Sequence, residues 1–521
     1  MSRIGGVWHL DGQPADSGLA RRMMLKAAHG TEGVGVWVRG PVALGHVPLA
    51  ATPEARGERQ PLALGPCVVT FDGRLDNREV LLRQLPRAAP ECPDAELVLR
   101  AYLRWGEEAP AHLVGDFAFV VWDERRHQLL CARDPIGIKA LHYYTDARVF
   151  LFGSEIKQLF ACGEVPQDLD LRQVGLFLAL RAGDAERTCY QHVRRLPGGH
   201  VLLVRDGAVT VRPYWRLTPR RLPPTAPGQY VEEFREHFRE AVRCRLRSAG
   251  PVGVSMSGGL DSTSILVTAR QIAREGGFPA GDLHSFSWVF PGLPGVDESY
   301  YIGLVTREAG VQAHSINGDA YWGLRAAPQA RAARDEPPTA PYEALIRATL
   351  CQARALGVRV VLTGQGGELA AAGVECLADL LRGLRWQRLA RALRALPRGA
   401  RRDALRELVG ALLPGWATRA VLPSEDAPVP PWLQGTFLEA VRDADRAARR
   451  AAEGSREGGR HFQALERSVR LTGASPWTVW TDQVGAEVGL EVRHPFWDVR
   501  LVEFLAAVPV EEKFDARWSK V

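Results

Sequence analysis

Lysine is nearly absent from this sequence. Among the 66 basic residues of the 521-residue chain, five are lysines: Lys26, Lys139, Lys157, Lys513 and Lys520. The net charge of +6 is modest for this length, and no basic block is interleaved with aromatic residues as in single-strand binders. We therefore interpret the arginine excess as a consequence of GC-rich coding, and we expect no nucleic-acid partner.

The sequence also lacks the cysteine pairs that hold zinc. Its eight cysteines are scattered, with no Cys-x-x-Cys pair and no zinc-type His/Cys spacing, so we expect unbridged thiols in a reducing compartment. No run of eighteen apolar residues occurs, and the N-terminus has no signal-like apolar region. The sequence therefore favours a cytoplasmic protein with no membrane association.

Two kinds of sequence pattern divide the chain, and they predict a two-domain protein of mixed α/β and α+β class. Residues 1–215 contain short alternating or apolar runs punctuated by Gly, Asp and Pro, which is typical of an antiparallel β-sandwich with flanking helices. Residues 216–228 are proline-rich without apolar periodicity and are interpreted as a linker. Residues 229–521 alternate helical runs with short apolar strands, which predicts a parallel sheet covered by helices.

One stretch of the second domain, SMSGGLDSTS at 255–264, has the composition of a phosphate-binding turn. It follows a strand-like run and precedes a helix-like run, so its backbone N–H groups can face an anion at a helix N-terminus. A carboxylate beside phosphates needs a cation between them, and Mg²⁺ is the natural choice for Asp261. The turn lacks the lysine of a P-loop and the spacing of a dinucleotide fold. The plain alternative is a βα turn that holds no ligand.

A second glycine-rich turn argues against that alternative. The run VVLT is followed by Gly364, Gln365, two further glycines and Glu368. Because ligands bind at the carboxyl ends of strands in an open parallel sheet, the two turns can meet there. Asp261 and Glu368 are then the candidate ligands of one Mg²⁺. The candidate ATP-binding residues are Ser255, Ser257, Gly258, Gly259, Asp261, Ser262 and Gly364.

These motifs resemble a known family. The Ser257–Ser262 turn is similar to the pyrophosphate loop of N-type ATP pyrophosphatases, and further segments resemble the asparagine-synthetase-like branch of that family. Those segments are Asp297-Glu298, DEPPTAP (335–341), LTGQGGE (362–368) and the block at 482–509 that contains Glu-x-Arg-x-Pro-Phe-x-Asp. Residues 1–215 resemble the partner glutaminase domain, which implies an Ntn-hydrolase-like fold. Its matching segments are LGHVPLA (44–50), DGRLDNREVL (72–81), LVGDFAFVVWD (113–123), RDPIGIKALHYY (133–144) and FGSEIKQL (152–159).

The resemblance implies a reaction with ATP and Mg²⁺. A substrate carboxylate is adenylated with release of pyrophosphate, and an amine then displaces AMP. The family usually has Asp where this chain has Glu368. It also has a lysine opening a Lys-x-x-Leu-Arg run, which matches Lys520 and implies stabilisation of charge on the adenylate. Because the sequence ends one residue later, we expect a chain shortened relative to the family, and a solvated terminal charge is the alternative role for Lys520.

The sequence of the first domain indicates whether the amine can come from glutamine. Glutamine-using family members begin Met-Cys-Gly-Ile, whereas this chain begins Met1-Ser2-Arg3-Ile4. An N-terminal serine can act as a nucleophile, so Ser2 stays open as an alternative. The segment at 45–49 lacks the family's glutamine-gripping arginine, and Asp72-Gly73 stands where the family has an Asn-Gly oxyanion pair. A carboxylate there repels developing negative charge, so we expect a scaffold without glutaminase activity.

A ligase of this kind takes its amine from the substrate or from another donor. Gln365 follows Thr363-Gly364, at the position of the Tyr in the similar Thr-Gly-Tyr run of β-lactam synthetases. The amide of Gln365 cannot act as a general base. The overall pattern most resembles lasso-peptide cyclases, which implies a precursor (core) peptide as substrate, with a leader peptidase and a leader-binding protein as partners. The candidate catalytic residues are Lys520, Asp261 and Gln365. The alternatives are an asparagine-synthetase-like amidotransferase using ammonia or another amine, a β-lactam-type cyclase, and a non-catalytic peptide-binding scaffold.

An arginine-studded helical stretch lies at 382–402. Five of its arginines step by three residues: Arg382, Arg385, Arg388, Arg391 and Arg394. Such a pattern is typical of a solvated helix face. The alternative is a docking surface for an acidic peptide or a phosphate.

Overall fold

The structure of the protein is a computed structural model. The ranges it describes are 2–27, 33–85, 88–181, 183–220, 222–223, 228–278, 282–321, 335–337, 342–396, 400–413, 429–454, 458–473 and 475–513. Lys520 and residues 338–341 of the DEPPTAP segment therefore lie outside the described residues. None of the helices within these ranges is long and apolar enough to cross a membrane. All eight cysteines are free thiols.

The first domain is built from two antiparallel sheets. Its strands are β1 (Arg3–His9), β2 (Gly35–Arg39), β3 (Val42–Val47), β4 (Leu62–Leu64), β5 (Cys67–Leu75), β6 (Gly115–Asp123), β7 (Gln128–Arg133), β8 (His142–Thr145), β9 (Val149–Gly153), β10 (Arg194–Arg195), β11 (His200–Arg205) and β12 (Ala208–Pro213). One sheet has the order β10-β8-β9-β1-β3-β2, and the other has the order β12-β11-β7-β6-β5-β4. Alternating apolar residues on their facing sides make the shared core.

Helices cover the outer faces of both sheets. These are α1 (Ser17–Lys26), α2 (Arg78–Gln84), α3 (Asp94–Trp105), α4 (Ile156–Phe160) and α5 (Leu171–Leu178). The apolar side of α1 packs on the first sheet through Met23 and Met24, and α3 packs on the second through Leu97 and Val98. The predicted antiparallel sandwich with flanking helices is confirmed.

The second domain contains a five-stranded parallel sheet. Its strands are β13 (Val252–Ser255), β14 (Leu283–Val289), β15 (Gln312–Asn317), β16 (Val360–Thr363) and β17 (Glu491–Arg493), in the order β15-β14-β13-β16-β17. The chain moves outward from β13 to β15 and then returns to the other side of β13 with β16. The strand order therefore reverses between β13 and β16, which is where open parallel sheets bind their ligands. The predicted parallel sheet is confirmed.

Helices cover both faces of this sheet. They are α6 (Gln229–Arg245), α7 (Leu260–Arg274), α8 (Ser299–Ala309), α9 (Glu343–Ala355), α10 (Cys376–Arg382), α11 (Trp386–Ala395), α12 (Arg401–Leu412), α13 (Gly435–Gly454), α14 (Arg460–Thr472), α15 (Pro476–Val488), α16 (Val499–Ala507) and α17 (Val510–Lys513). One apolar core joins α6, α7 and α16 to the sheet, and another joins α9 and α15 to its opposite face.

The proline-rich segment between the domains lies against the second domain. Just before this segment, the Trp215 indole Nε1 donates to Glu503 Oε1 at 2.7 Å, and within it the Leu222 N–H donates to the Ala507 carbonyl at 3.2 Å. Leu217 is buried. The described part of this segment therefore follows α16 closely, because its own apolar and polar groups find partners there.

The five arginines that step by three residues between 382 and 394 are partly paired with acidic residues of the same chain. Arg388 Nη1 lies 3.2 Å from Glu512 Oε1, and Arg385 Nε lies 3.9 Å from Glu511 Oε1. These contacts join α11 to α17. A docking role for these arginines stays a prediction, since Arg385 and Arg388 are engaged by acids of the protein itself.

Candidate functional site

Two glycine-rich turns lie side by side at the point where the strand order reverses. Strands β13 and β16 are parallel neighbours whose last residues, Ser255 and Thr363, stand opposite each other. Each strand then runs directly into one of the turns identified from the sequence. The predicted meeting of the two turns at the carboxyl edge of the sheet is confirmed in the structure.

The first turn is closed by its own hydroxyl groups. The Ser257 N–H donates to Ser262 Oγ at 3.0 Å, and the two serine hydroxyl oxygens lie 3.2 Å apart. The Gly259 N–H donates to Ser257 Oγ at 3.2 Å, and α7 begins at the next residue. Hydroxyl and N–H donors therefore gather at the positive end of a 15-residue helix, an arrangement suited to phosphate.

A carboxylate oxygen already rests on this turn. The Gly258 N–H donates to Glu298 Oε2 at 2.9 Å, so this N–H already binds an anionic group. The neighbouring Asp297 carboxylate accepts from the Phe290 N–H at 2.7 Å and from the Ser299 hydroxyl. Those hydrogen bonds, that of Ser299 first, hold the pKa of Asp297 below its usual value. Of the Asp297-Glu298 motif, Glu298 therefore contacts the first turn, while Asp297 fixes the preceding loop.

Asp261 packs directly against the second turn. A Cβ built on Gly367 would lie 2.2 Å from Asp261 Cγ, and one built on Gly364 would lie 2.8 Å from the Ser262 backbone nitrogen. Glycine is therefore required at both positions for the start of α7 to come this close. Glu368 follows Gly367 in sequence and is exposed to solvent. The fold brings Asp261 to the turn that carries Glu368.

Residues 491–498 pack against the second turn. Thr363 Oγ1 lies 2.6 Å from His494 Nδ1, and burial lowers the pKa of His494 to about 4, so its ring is neutral at pH 7. The buried Trp497 indole packs against Gly366, whose φ of +90° suits glycine. Gln365 is half-buried within this turn, and Thr363 Oγ1 lies 3.5 Å from its backbone nitrogen.

The residues present fit the groups that the sequence implied. Backbone N–H groups and the hydroxyls of Ser257 and Ser262 are suited to phosphate oxygens, and the oxygens of Asp261 and Glu368 are the hard ligands that Mg²⁺ prefers. A bound magnesium ion would supply neutralisation of phosphate charge at this place.

Comparison with known proteins agrees with this arrangement. Residues 1–215 match the glutamine amidotransferase domain family, and residues 233–521 match the asparagine synthase family. The chain belongs to the asparagine synthase family.

Its relatives include asparagine synthetase [glutamine-hydrolyzing] 3 of Bacillus subtilis, which is 31% identical over 267 residues, or 50% of this chain and 43% of the relative. Amidase chyE of Penicillium rubens is 31% identical over 303 residues, or 55% of this chain and 44% of the relative. The chain spans under half the length of these two curated relatives. Among solved structures, glutamine phosphoribosylpyrophosphate amidotransferase from B. subtilis gives a TM-score of 0.32 at 14% identity, covering 74% of this chain and 78% of that chain.

The Glu-x-Arg-x-Pro-Phe-x-Asp block of this asparagine synthase family member anchors the site through buried ion pairs. Arg493 Nη2 donates to Glu491 Oε2 at 2.7 Å, and Asp498 Oδ2 accepts from Arg245 Nη1 at 2.7 Å. Burial alone would raise the pKa of the Asp498 carboxyl, but Arg245 and Arg500 hold it well below its usual range. Asp498 also caps α16 by accepting from the Arg500 N–H.

Within the described ranges, one cluster has the composition of a metal site: Asp76, Cys244 and Asp498. Guanidinium groups already neutralise its carboxylates. Arg74 Nη2 lies 3.0 Å from Asp76 Oδ2, and Arg245 pairs with Asp498. We therefore interpret this cluster as part of the ion network.

A buried charge cluster between the two domains was not predicted from the sequence. Arg3 Nη1 donates to Asp482 Oδ2 at 2.8 Å, and Arg3 Nε donates to Glu155 Oε1 at 2.7 Å. Lys139 Nζ lies 3.1 Å from Asp482 Oδ1 and 3.7 Å from Asp72 Oδ1. Burial favours a protonated Asp482, but Lys139 and Arg3 outweigh it and lower the pKa of that carboxyl. Two signals could have pointed to Lys139, the scarcity of lysine and its place in the segment RDPIGIKALHYY (133–144).

The pocket at Ser2 is lined by acids as well as by Lys139. Its volume is about 330 Å³, including the part open to solvent, and its lining includes Glu58, Asp72 and Glu491. Ser2 Oγ accepts a hydrogen bond from the Leu49 N–H at 3.2 Å. Burial raises the pKa of Asp72, with Lys139 and Arg3 opposing that rise. Asp72, the residue that sequence analysis placed at the oxyanion position, is thus 1% exposed and ion-paired.

Proposed function

We propose that this member of the asparagine synthase family is an ATP-dependent, AMP-forming carbon–nitrogen ligase. A substrate carboxylate oxygen attacks the α-phosphorus of ATP, and the bond to pyrophosphate breaks. An amine then attacks the activated carbonyl, loses a proton and displaces AMP. The observation that carries this proposal is the contact of Asp261 with the Gly364–Glu368 turn. This contact brings Asp261, the turn that carries Glu368 and the hydroxyls of Ser257 and Ser262 to one edge of the sheet.

We also propose that the amine does not come from glutamine hydrolysed by this chain. The nucleophile position holds Ser2, whose hydroxyl oxygen is engaged by the Leu49 N–H. The adjacent residue, Arg3, directs its guanidinium into the ion cluster at Asp482 and Glu155. The Asp72 carboxylate at the oxyanion position opposes negative charge on a reacting amide. These features support a structural role for the first domain.

The proposed substrate is a peptide whose own N-terminal amine closes a macrolactam on an Asp or Glu side chain, as in lasso-peptide cyclases. The surface beside the first turn supports a substrate larger than a free amino acid. Leu260, Tyr300 and Tyr301 are 65%, 69% and 59% exposed there, and the Tyr301 Cβ lies 3.0 Å from a Cβ built on Gly258. The precursor (core) peptide, a leader peptidase and a leader-binding protein are the partners that this proposal requires.

The second candidate is an asparagine-synthetase-like amidotransferase that uses ammonia or another free amine. Its support is the name of the Bacillus subtilis relative, an asparagine synthetase, at 31% identity. The two candidates share the adenylation site. They differ in the amine that attacks the AMP-activated carboxylate.

One set of incubations separates the two candidates. The protein with Mg²⁺ and ATP is mixed with aspartate and ammonium chloride, with aspartate and glutamine, or with synthetic peptides that have a free N-terminus and an internal Asp or Glu. AMP, glutamate and peptide mass are then measured. We expect AMP and loss of one water from a peptide, with no glutamate from glutamine.

Two controls make the result specific. Peptides with an acetylated N-terminus should form no ring, because their nitrogen is no longer a nucleophile. Asp261→Asn should lose AMP formation with every substrate. Asparagine from aspartate and ammonium would favour the second candidate, and AMP formation undiminished in the Asp261 variant would contradict the adenylation site itself.

A further inference from the structure

A buried lysine lies close behind the Glu368 turn. Lys513, at the end of α17, is 5% exposed. Its Nζ donates to the Leu505 carbonyl at 2.6 Å and lies 2.6 Å from His461 Nε2. A buried ammonium needs several acceptors to offset its lost hydration, and these two contacts supply them.

The contact with His461 extends to an acid. His461 Nδ1 lies 3.3 Å from Glu375 Oε1, so the ring bridges the lysine and the carboxylate. Asp379 fixes the position of this ring, because its carboxylate accepts from the backbone N–H groups of Arg460 and His461 at 2.7 and 2.9 Å. The bridge thus joins the starts of α10 and α14 to α17, over more than one hundred residues of sequence.

Both ends of the bridge hold the chain that leaves the Glu368 turn. The Ala371 N–H donates to the Glu368 carbonyl at 3.2 Å, and the Ala372 N–H donates to the Lys513 carbonyl at 3.3 Å. The Gly373 N–H donates to Glu375 Oε1 at 2.9 Å. The segment 371–375 is therefore held between Lys513 on one side and Glu375 on the other.

We propose that Lys513 is a positioning residue for the Glu368 turn, which it holds through its carbonyl at Ala372 and through the His461–Glu375 bridge. The proposal rests on the proposed function, since it makes the affinity of the turn for Mg·ATP depend on Lys513. Lys513 touches no reacting atom in this arrangement. Lys513 instead affects the position of Glu368 relative to Asp261.

The charge on Lys513 is sensitive to pH. Burial lowers its pKa to about 7, with the negative charge of Glu375 opposing. The other charged groups around the bridge are Asp379, Glu407, Arg382 and Arg460, together with Glu511 and Glu512 of α17 itself. Because hydrogen bonds from a charged donor are about twice as strong as neutral ones, the bridge weakens as pH rises through about 7.

The test is the affinity of the full chain for Mg·ATP, measured by calorimetry at several pH values. Lys513→Met keeps the length of the side chain and removes its charge and donors. We expect its dissociation constant at pH 6 to be about tenfold higher than that of the wild type, with the ratio falling towards one as pH rises past the pKa. Lys513→Arg should recover part of the affinity. Lys26→Met, at an exposed lysine, controls for the titration of ATP.

A second variant covers the case in which Lys513→Met does not fold. His461→Gln breaks the link to Glu375 and leaves Lys513 in place, and it should also weaken Mg·ATP binding. A lower melting temperature with unchanged affinity and unchanged pH dependence in the folded variants would overturn the proposal. Binding of Mg·ATP by the wild type without any AMP formation would instead overturn the proposed function and leave the role of Lys513 measurable.

Discussion

Lys139 of the first domain and Asp482 of the second form a buried ion pair, with Nζ 3.1 Å from Oδ1. Arg3 joins the same carboxylate from β1, so two cations of one domain neutralise one acid on α15 of the other. Charges this deeply buried hold only when they are paired and hydrogen-bonded. The two domains are therefore expected to unfold together, and the first domain supports the second whether or not it performs chemistry.

Removing Lys139 tests this coupling. Lys139→Met leaves Asp72 and Asp482 with one cation fewer in a buried site, so we expect the free energy of unfolding to fall by about 3 kcal/mol. Urea denaturation measures it. Lys26→Met, at an exposed lysine, should change the free energy of unfolding by less than about 0.5 kcal/mol. Two separate unfolding transitions in the wild type would contradict the coupling.

The close approach of Asp261 to the second turn predicts a steric effect. The methyl group added by Gly367→Ala would lie 2.2 Å from Asp261 Cγ, so the turn or the start of α7 must shift. We expect AMP formation to fall by at least about tenfold, which corresponds to about 1.4 kcal/mol of lost transition-state stabilisation. Gly295→Ala is the matched control, because a Cβ there meets nothing within 4 Å. Equal activity of the two variants would show that the contact does not matter.

Glu58, in the pocket at Ser2, predicts a pH dependence of stability. Burial raises its pKa from 4.5 to about 7, so between these values the folded protein holds a proton that the unfolded chain releases. The free energy of unfolding therefore decreases as pH rises from 4.5 to about 7, by up to about 3 kcal/mol, and this loss persists above that range.

Glu58→Gln removes this titration. We expect the variant to gain stability relative to the wild type as pH rises from 5 to 8, with the change completed near the raised pKa of about 7. Chemical denaturation at four pH values measures the difference. Glu91→Gln, at an exposed site, should follow the wild-type curve. A constant difference between Glu58→Gln and the wild type at all pH values would refute the prediction.

Ser2 predicts an absence of effect. If the first domain is a scaffold, Ser2→Ala leaves AMP formation within about twofold of the wild type, since within the described residues Ser2 Oγ accepts one hydrogen bond, from the Leu49 N–H. Glutamate release from glutamine, followed by coupled enzymatic assay, should be undetectable in both proteins. Glutamate release by the wild type that disappears in Ser2→Ala would show an active N-terminal nucleophile.

Local sequence patterns predicted the elements well. The short alternating or apolar runs of residues 1–215 form strands such as β5 (Cys67–Leu75), and the predicted flanking helices include α3 (Asp94–Trp105). Both patterns carry their information in the period of their apolar residues, which depends on local geometry alone. The strand–turn–helix around Asp261 was predicted for the same reason, since its turn and its helix start are adjacent in sequence.

The parts of the site that sequence reasoning missed are made of distant residues. Arg3 and Asp482 are 479 positions apart, and Lys139 pairs with Asp482 across 343 positions. No spacing rule relates such residues. The same holds for Lys513, whose partners His461 and Leu505 meet it only because α14, α16 and α17 pack together.

The sequence by itself determined the two-domain organisation, the fold class and the paired glycine turns with Asp261 and Glu368, because periodicity and turn chemistry act over a few residues. Only the tertiary structure decided which charges are buried, which acids meet, and that Arg3 and Lys139 neutralise Asp482. A buried charge is stable only beside its partner, and the partner is chosen by how strands and helices pack, which the local pattern does not encode.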